Sequence, residues 1–216
     1  EPHLTFQSIV ETTNTILESC RLINYKGRVF FAGSSEIFGS SSKARLTTDD
    51  QNGVSPYAVA KKQSILQADM YREIYGLKVV TGILFNHESP LRDERFVTQK
   101  IVKGAINALS NKNSVLKLGN INVFRDWGWA EEYVEAMQLI LRADNLKNYI
   151  ICTGEKNSLE SFVKKVFKKL GLNYKDYTSI DKNLARKFDV KTSFGDPEML
   201  KEDLGWEAKN KFENII

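Results

Sequence analysis

The sequence predicts an α/β fold, part of a doubly wound parallel sheet with a smaller C-terminal α/β region. Three observations predict it. An amphipathic helix followed by a short apolar run occurs twice in the first half, the pattern of right-handed crossovers between parallel strands. The runs "RVFFAG" and "LKVVTGILF" are continuous rather than alternating, as strands buried on both faces require. Polar clusters, "GSSE" and "NHESP", stand where those runs end, and open parallel sheets bind ligands beyond the carboxyl ends of their strands.

The elements follow in order. Apolar residues recur at helical spacing from Leu4 to Leu22, and "NYKG" is expected to close that helix with Gly27. After the first strand, Pro56 suits a first helical turn and Gly76 a stop, which predicts a helix over Pro56–Tyr75. Beyond Phe85 the texture changes. "NHESPLRDERF" is turn-rich, "VTQKIVKGAINAL" is helical, and "VLKLGN" and "NVFRDWG" are short extended pieces, together an insertion at the ligand edge. A helix over 129–143 and the strand "NYIICTG" return to the sheet. Asn157 and Glu160 then have N-cap and capping-box spacing for a helix through Leu170. The division is therefore 1–85 with 129–156 for the sheet domain, and 86–128 with 157–216 for the second region.

Composition narrows the functions. The 216 residues are 42% apolar, enough for a substantial core, and the formal charge of +4 is too small and dispersed to imply nucleic acid. The basic run "KKVFKKL" reads as the solvated face of a helix, and Trp127 and Trp129 as packing residues. Cys20 and Cys152 stand far apart without metal-ligand spacing, so neither a disulfide framework nor a zinc site is expected, and a reduced, cytoplasmic setting is. No apolar run approaches the roughly 20 residues that span a bilayer, and the N-terminus lacks the pattern of a signal peptide, so no membrane partner is expected.

The chemistry is signalled by Tyr57 and Lys61. Spaced i and i+4, they share a helix face, where an ammonium beside a phenol is expected to lower the phenol's pKa and make it a general base. The spacing alone is also compatible with a core tyrosine and a surface lysine, and Ser-Ser-Glu with a capped turn.

The wording around them is more specific. "SSEIFG", "SPYAVAK", "YGLKVVTGILFNHESPLR", "FVTQKI", "LGN", "RDWG" and "LGW" occur in an order that resembles the extended short-chain dehydrogenase/reductase (NAD-dependent epimerase/dehydratase) family, and within it the GDP-mannose 4,6-dehydratases. The resemblance runs over essentially the whole chain. It implies a Rossmann-like fold and a lyase that turns a GDP-hexose into its 4-keto-6-deoxy derivative, with NADP, or NAD, reduced and reoxidised on the enzyme. It implies catalytic roles for Ser34, Glu36, Tyr57 and Lys61: Tyr57 with Lys61 takes the O4 proton, Ser34 holds O4, and Glu36 moves the C5 proton and helps water leave C6. Ser34 stands where the dehydratases usually carry threonine. Tyr57, Lys61, His87 and Arg92 match cofactor contacts. Asn86, Val97, Lys100, Arg125 and Arg186 match contacts to the GDP-sugar, the arginines facing the diphosphate; "ARKFDV" departs from the proline and glutamate usual after the last of these. Homodimers or homotetramers are implied as well.

Glu36 separates the dehydratase reading from related epimerases and reductases, which usually carry a small residue there. GDP-manno-heptose as substrate, and a non-catalytic nucleotide-sugar-binding subunit, remain alternatives at this level. The glycine-rich strand-to-helix turn that receives a dinucleotide pyrophosphate is not in this sequence, so the natural polypeptide is expected to be longer, with an unpaired apolar sheet edge where that part would lie.

Overall fold

The computed structural model describes residues 1–40, 43–46, 51–184 and 189–216. Its centre is a three-stranded sheet in the order β1-β2-β7, formed by β1 (Val29–Ser34), β2 (Val79–Leu84) and β7 (Tyr149–Ile151). Both pairings are parallel, and Ser34 at the end of β1 stands level with Leu84 of β2.

Side-chain alternation assigns the two faces. Val29 and Phe31 of β1 and Val79 of β2 pack with Leu17 of α2 (Thr12–Leu22) and with Ala68 and Tyr71 of α3 (Pro56–Tyr75). Phe30, Val80, Leu84, Tyr149 and Ile151 point the other way, onto Tyr133, Ala136 and Ile140 of α5 (Ala130–Arg142) and Leu200 of α8 (Glu198–Leu204). Helices on both faces make the sheet doubly wound, and β2, its central strand, is almost wholly buried. At about 25 cal/mol per Å² of apolar surface, each large side chain buried here contributes roughly 1.5–3 kcal/mol.

The first helical stretch departs from expectation in two ways. It runs from α1 (Pro2–Phe6) through a π-helical turn, Gln7–Glu11, into α2. Its end is set by Asn24, which takes the left-handed backbone at φ 53°, rather than by Gly27. Asparagine tolerates that conformation, so the chain turns three residues before the glycine. The helix α3 behaves as expected, with Pro56 in its first turn and Gly76 at φ 68° closing it.

The second region has its own core. α4 (Val97–Ser110) contributes Ile101, Ala105 and Ala108, and α6 (Leu159–Lys169) contributes Phe162, Val163, Val166 and Phe167, around Trp127 and Phe212. Leu118 joins them from β4 (Leu116–Leu118), which pairs in parallel with β9 (Thr178–Ile180) just after the short helix α7 (Tyr174–Tyr177). Trp127 is 1% exposed, a packing residue as expected. The lysines of "KKVFKKL" lie on the opposite side of α6 from that core, apart from Lys165, which is half-buried. The capping expectation is corrected: Asn157 and Ser158 form β8, antiparallel to β5 (Phe124–Arg125), and the Ser158 hydroxyl caps α6 by accepting from Ser161 N–H at 3.0 Å. Glu160 instead accepts from the Tyr174 hydroxyl at 2.7 Å.

Asp126, between Arg125 and Trp127, joins the two regions. It is 1% exposed and accepts from Thr153 N–H (2.9 Å), the Thr153 hydroxyl (2.7 Å) and Gly154 N–H (2.9 Å), just past β7. No helix among the described residues is long and apolar enough to cross a membrane.

Candidate active site

β1 ends in Ser34, whose hydroxyl accepts from the Glu36 N–H at 3.3 Å and so caps a short 3-10 turn, Ser35–Phe38. The turn aims Glu36 beyond the sheet and stops at Gly39, whose φ of 59° suits glycine. A β-carbon at Gly39 would also stand 3.0 Å from the Asn52 carbonyl oxygen. The chain re-enters beside this turn: Gly53 N–H donates to the Ile37 carbonyl at 2.8 Å. Ser55 then caps α3, accepting from Ala58 N–H at 3.0 Å, and donates to Glu36 Oε2 at 3.3 Å. Ser34, Glu36, Ser55 and Tyr57 therefore converge at the carboxyl end of β1.

Tyr57 and Lys61 lie on the same face of α3, with the Lys61 ammonium 5.8 Å from the Tyr57 ring centre. The electrostatics differ from the sequence expectation. Burial pushes the Tyr57 phenol up, the Glu36 charge pushes the same way, and a hydrogen bond with Ser34 offsets only part of this. Lys61 donates to the Ala32 carbonyl at 2.9 Å, and burial holds its pKa down. The lysine is tied to the strand rather than to the phenol oxygen, so desolvation outweighs its charge at Tyr57.

Two hollows flank this end of β1. One, of about 230 Å³, lies among the π-helical turn, α2, β1 and α3, with Gly33 and Lys61 in its wall. The other, of about 370 Å³, contains Ser35, Glu36, Asn86, Arg92, Val97, Lys100 and Arg125. Gly33 borders the first and Ser35 the second, so Ser34 stands between them.

The second hollow is floored by β3 (Asn86–Glu88), paired in parallel with β6 (Trp127–Trp129). His87 Nδ1 lies 2.8 Å from the Phe85 carbonyl, and burial keeps the imidazole below its usual pKa. Arg92 donates to the His87 carbonyl at 2.8 Å and lies 3.9 Å above the Phe96 ring. Its Nε stands 3.5 Å from Glu88, a 6% exposed carboxylate that accepts from the Thr98 hydroxyl at 2.7 Å and is pushed up by burial. Lys100 donates to the Lys117 carbonyl at 2.7 Å. Arg125 is held by the Phe124 and Val190 carbonyls and by Asp189 at 3.0 Å. Arg186 lies outside the described residues.

The structure thus lines one cleft with Glu36, Asn86, Arg92, Val97, Lys100 and Arg125 and the other hollow with Lys61, holds Ser34 and Tyr57 beside Glu36 in the wall of neither, and turns His87 away from both, its ring 5.2 Å from that of Tyr133. Ser55, Glu88, Asp126 and Asp189 stand inside stretches singled out in the sequence but were given no role there. Only Ser55 carried a local signal, a serine immediately before a first-turn proline. The donors Tyr57 and Lys61 suit the hydroxyl and phosphate oxygens of a nicotinamide dinucleotide, whereas Arg92 lies in the other hollow, with the residues expected to hold the GDP-sugar.

A family model described as GDP-mannose 4,6 dehydratase matches residues 1–216. "GDP-mannose 4,6 dehydratase 1" of Arabidopsis thaliana is 39% identical over 219 residues, covering 100% of this chain and 61% of the relative. "GDP-mannose 4,6 dehydratase" of Dictyostelium discoideum is 34% identical, covering 93% of this chain and 61% of the relative. The chain thus spans about three fifths of the length of these curated relatives. Among solved structures, a double mutant of DesIV, a dTDP-glucose 4,6-dehydratase of Streptomyces venezuelae, with NAD bound, superposes with a TM-score of 0.84 at 20% identity, covering 97% of this chain and 65% of that one. A UDP-glucose 4-epimerase of Thermotoga maritima with UDP-glucose gives 0.84 at 21% identity, covering 99% and 68%. These two likenesses establish the Rossmann-like fold.

Proposed function

The chain belongs to the GDP-mannose 4,6-dehydratase family, and on that premise we propose that the polypeptide containing it removes water from a GDP-hexose, GDP-mannose foremost, to give the GDP-4-keto-6-deoxy sugar. The observation that carries this reading is Glu36, a carboxylate in the wall of the cleft and beside Ser34 and Tyr57.

Tyr57 takes the proton of the sugar O4 as the C4–H bond breaks, with the Ser34 hydroxyl hydrogen-bonded to O4. NADP, or NAD, would be held by Tyr57, Lys61, His87 and Arg92, and when bound it would supply a reversible hydride acceptor and a positive charge that favours the phenolate. The C4 ketone acidifies C5–H. The Glu36 carboxylate removes that proton, the C–H electrons form the C5–C6 double bond, and the C6–O bond breaks. Glu36 returns its proton to the departing hydroxyl, so water leaves and the carboxylate is regenerated. With the hydride returned to C6, Tyr57 gives C5 the proton it took from O4, which completes the 4-keto-6-deoxy product and leaves Tyr57 as it began.

Asn86, Val97, Lys100, Arg125 and Arg186 are proposed to bind the nucleotide and its diphosphate. A homodimer or homotetramer is supported by an exposed apolar stripe on α3, Val59, Leu66, Met70 and Ile74, at helical spacing. Residues 1–85 with 129–156 would serve the cofactor and the remainder the GDP-sugar, in a cytoplasmic enzyme. The test is the mass of GDP-mannose after incubation with NADP and the longest natural polypeptide containing this sequence. Loss of one water is expected, and Glu36→Gln should abolish it while nucleotide binding persists. Unchanged turnover in Glu36→Gln would overturn the mechanism.

A further inference from the structure

We propose that Ser55 is a positioning residue that acts through Glu36, a reading that rests on the dehydratase chemistry above. Its single hydroxyl has two partners on different elements. It accepts from Ala58 N–H at 3.0 Å, fixing the first turn of the helix that carries Tyr57 and Lys61, and it donates to Glu36 Oε2 at 3.3 Å across 19 residues of sequence. A serine hydroxyl has one proton and two lone pairs, so both bonds are satisfied at once.

The backbone makes this junction rigid. Gly53 N–H donates to the Ile37 carbonyl at 2.8 Å, and a β-carbon at Gly53 would stand 2.2 Å from the Glu36 carbonyl oxygen. The segment leading into Ser55 thus lies directly against the turn that presents Glu36, closer than any side chain other than hydrogen would permit. Glu36 Oε2 is the oxygen engaged by Ser55, which leaves Oε1 to receive the C5 proton and hand it to the departing hydroxyl. Without the Ser55 hydroxyl the carboxylate loses the donor that fixes its rotation. Proton transfer at C5 and C6 then slows, whereas oxidation at C4, which belongs to Tyr57 and Ser34, continues.

The consequence is a change in which step is slow. In Ser55→Ala, kcat should fall about tenfold while KM for GDP-mannose stays within about twofold, and reduced cofactor, read by its absorbance during turnover, should accumulate because elimination lags behind C4 oxidation. Ser55→Thr keeps the hydroxyl and should restore both quantities to near the parent. Loss of turnover without that accumulation, or failure of Ser55→Thr to restore it, would overturn the assignment.

A second measurement does not depend on activity. Ser55→Ala, Glu36→Ala and the double variant form a thermodynamic cycle read by urea unfolding of the same natural polypeptide. The effects should be non-additive by about threefold in the unfolding equilibrium constant. An additive cycle removes the contact and the proposal with it. If the parent fails to dehydrate GDP-mannose, the functional reading fails, and the cycle alone decides whether Ser55 holds Glu36.

Discussion

Replacing Asp126 with asparagine tests what sets the charge of a carboxyl at the junction of the two regions. Burial raises its pKa from 3.8 to about 6, against the pull of donors from Thr153, Gly154 and Gly195. The native state therefore binds this proton more tightly than the unfolded chain does. Stability from this group is fully present below about pH 4, declines as pH rises toward 6, and stays low above. The displacement corresponds to about 3 kcal/mol between the two plateaus. An asparagine amide cannot ionise, so the slope should vanish from the variant, although the amide presents a donor where one oxygen now accepts from Gly154 or Thr153. The Asp126→Asn variant should thus gain on the parent by up to about 3 kcal/mol between pH 4 and pH 7.5, whatever its offset at acid pH. Urea unfolding of both proteins at half-unit pH intervals measures the difference directly, and the contributions of Glu88 and His87 cancel in it. A difference that stays flat with pH would refute the reasoning and mean that the donors, not burial, govern the carboxyl.

Two further outcomes bear on the site and its assembly. Gly53→Ala places a β-carbon 2.2 Å from the Glu36 carbonyl oxygen, so the turn must shift by about 1 Å; a drop in dehydration rate of about a hundredfold, with a loss of roughly 1–3 kcal/mol in unfolding free energy, is expected from steady-state kinetics and urea titration. Full activity in that variant would show that the turn relaxes without moving Glu36. Leu66→Glu introduces a charge into the exposed stripe on α3, where Leu66 is 60% exposed, and light scattering should show a shift toward monomer with the circular dichroism of the parent.

Those parts of the fold that announce themselves locally were legible in the sequence. Pro56 and Gly76 bracket α3 because one presets a first-turn backbone and the other accepts a left-handed one. The sheet was readable from two continuous apolar runs and from "NYIICTG", which supplies its third strand. Where two residues competed for one role, the choice depended on packing: Asn24 turned the chain before Gly27 could, and pairing with β5 took Asn157 out of contention as a cap. The site divides in the same manner. Glu36, Tyr57 and the cleft residues followed from motif wording, but the Asp189–Arg125 pair spans 64 residues and leaves no periodic trace. For Tyr57 burial and the Glu36 charge push the phenol up where the spacing pointed down, because spacing reports that a lysine is near, not that its ammonium is turned to a backbone carbonyl.

The separate cores bear on how such a protein can change over evolutionary time. Glu36 and Tyr57 ride on elements anchored to the sheet through Ile37, Phe38 and Ile65, whereas Val97 and Lys100 ride on α4, anchored among Ile101, Phe162 and Phe167. Drift in the second group can reshape the wall of the cleft that faces Glu36 without reaching the side chains that hold the first. On the function proposed above, a lineage built this way can exchange one sugar nucleotide for another by altering α4 and its neighbours, while the residues at the end of β1 are inherited intact.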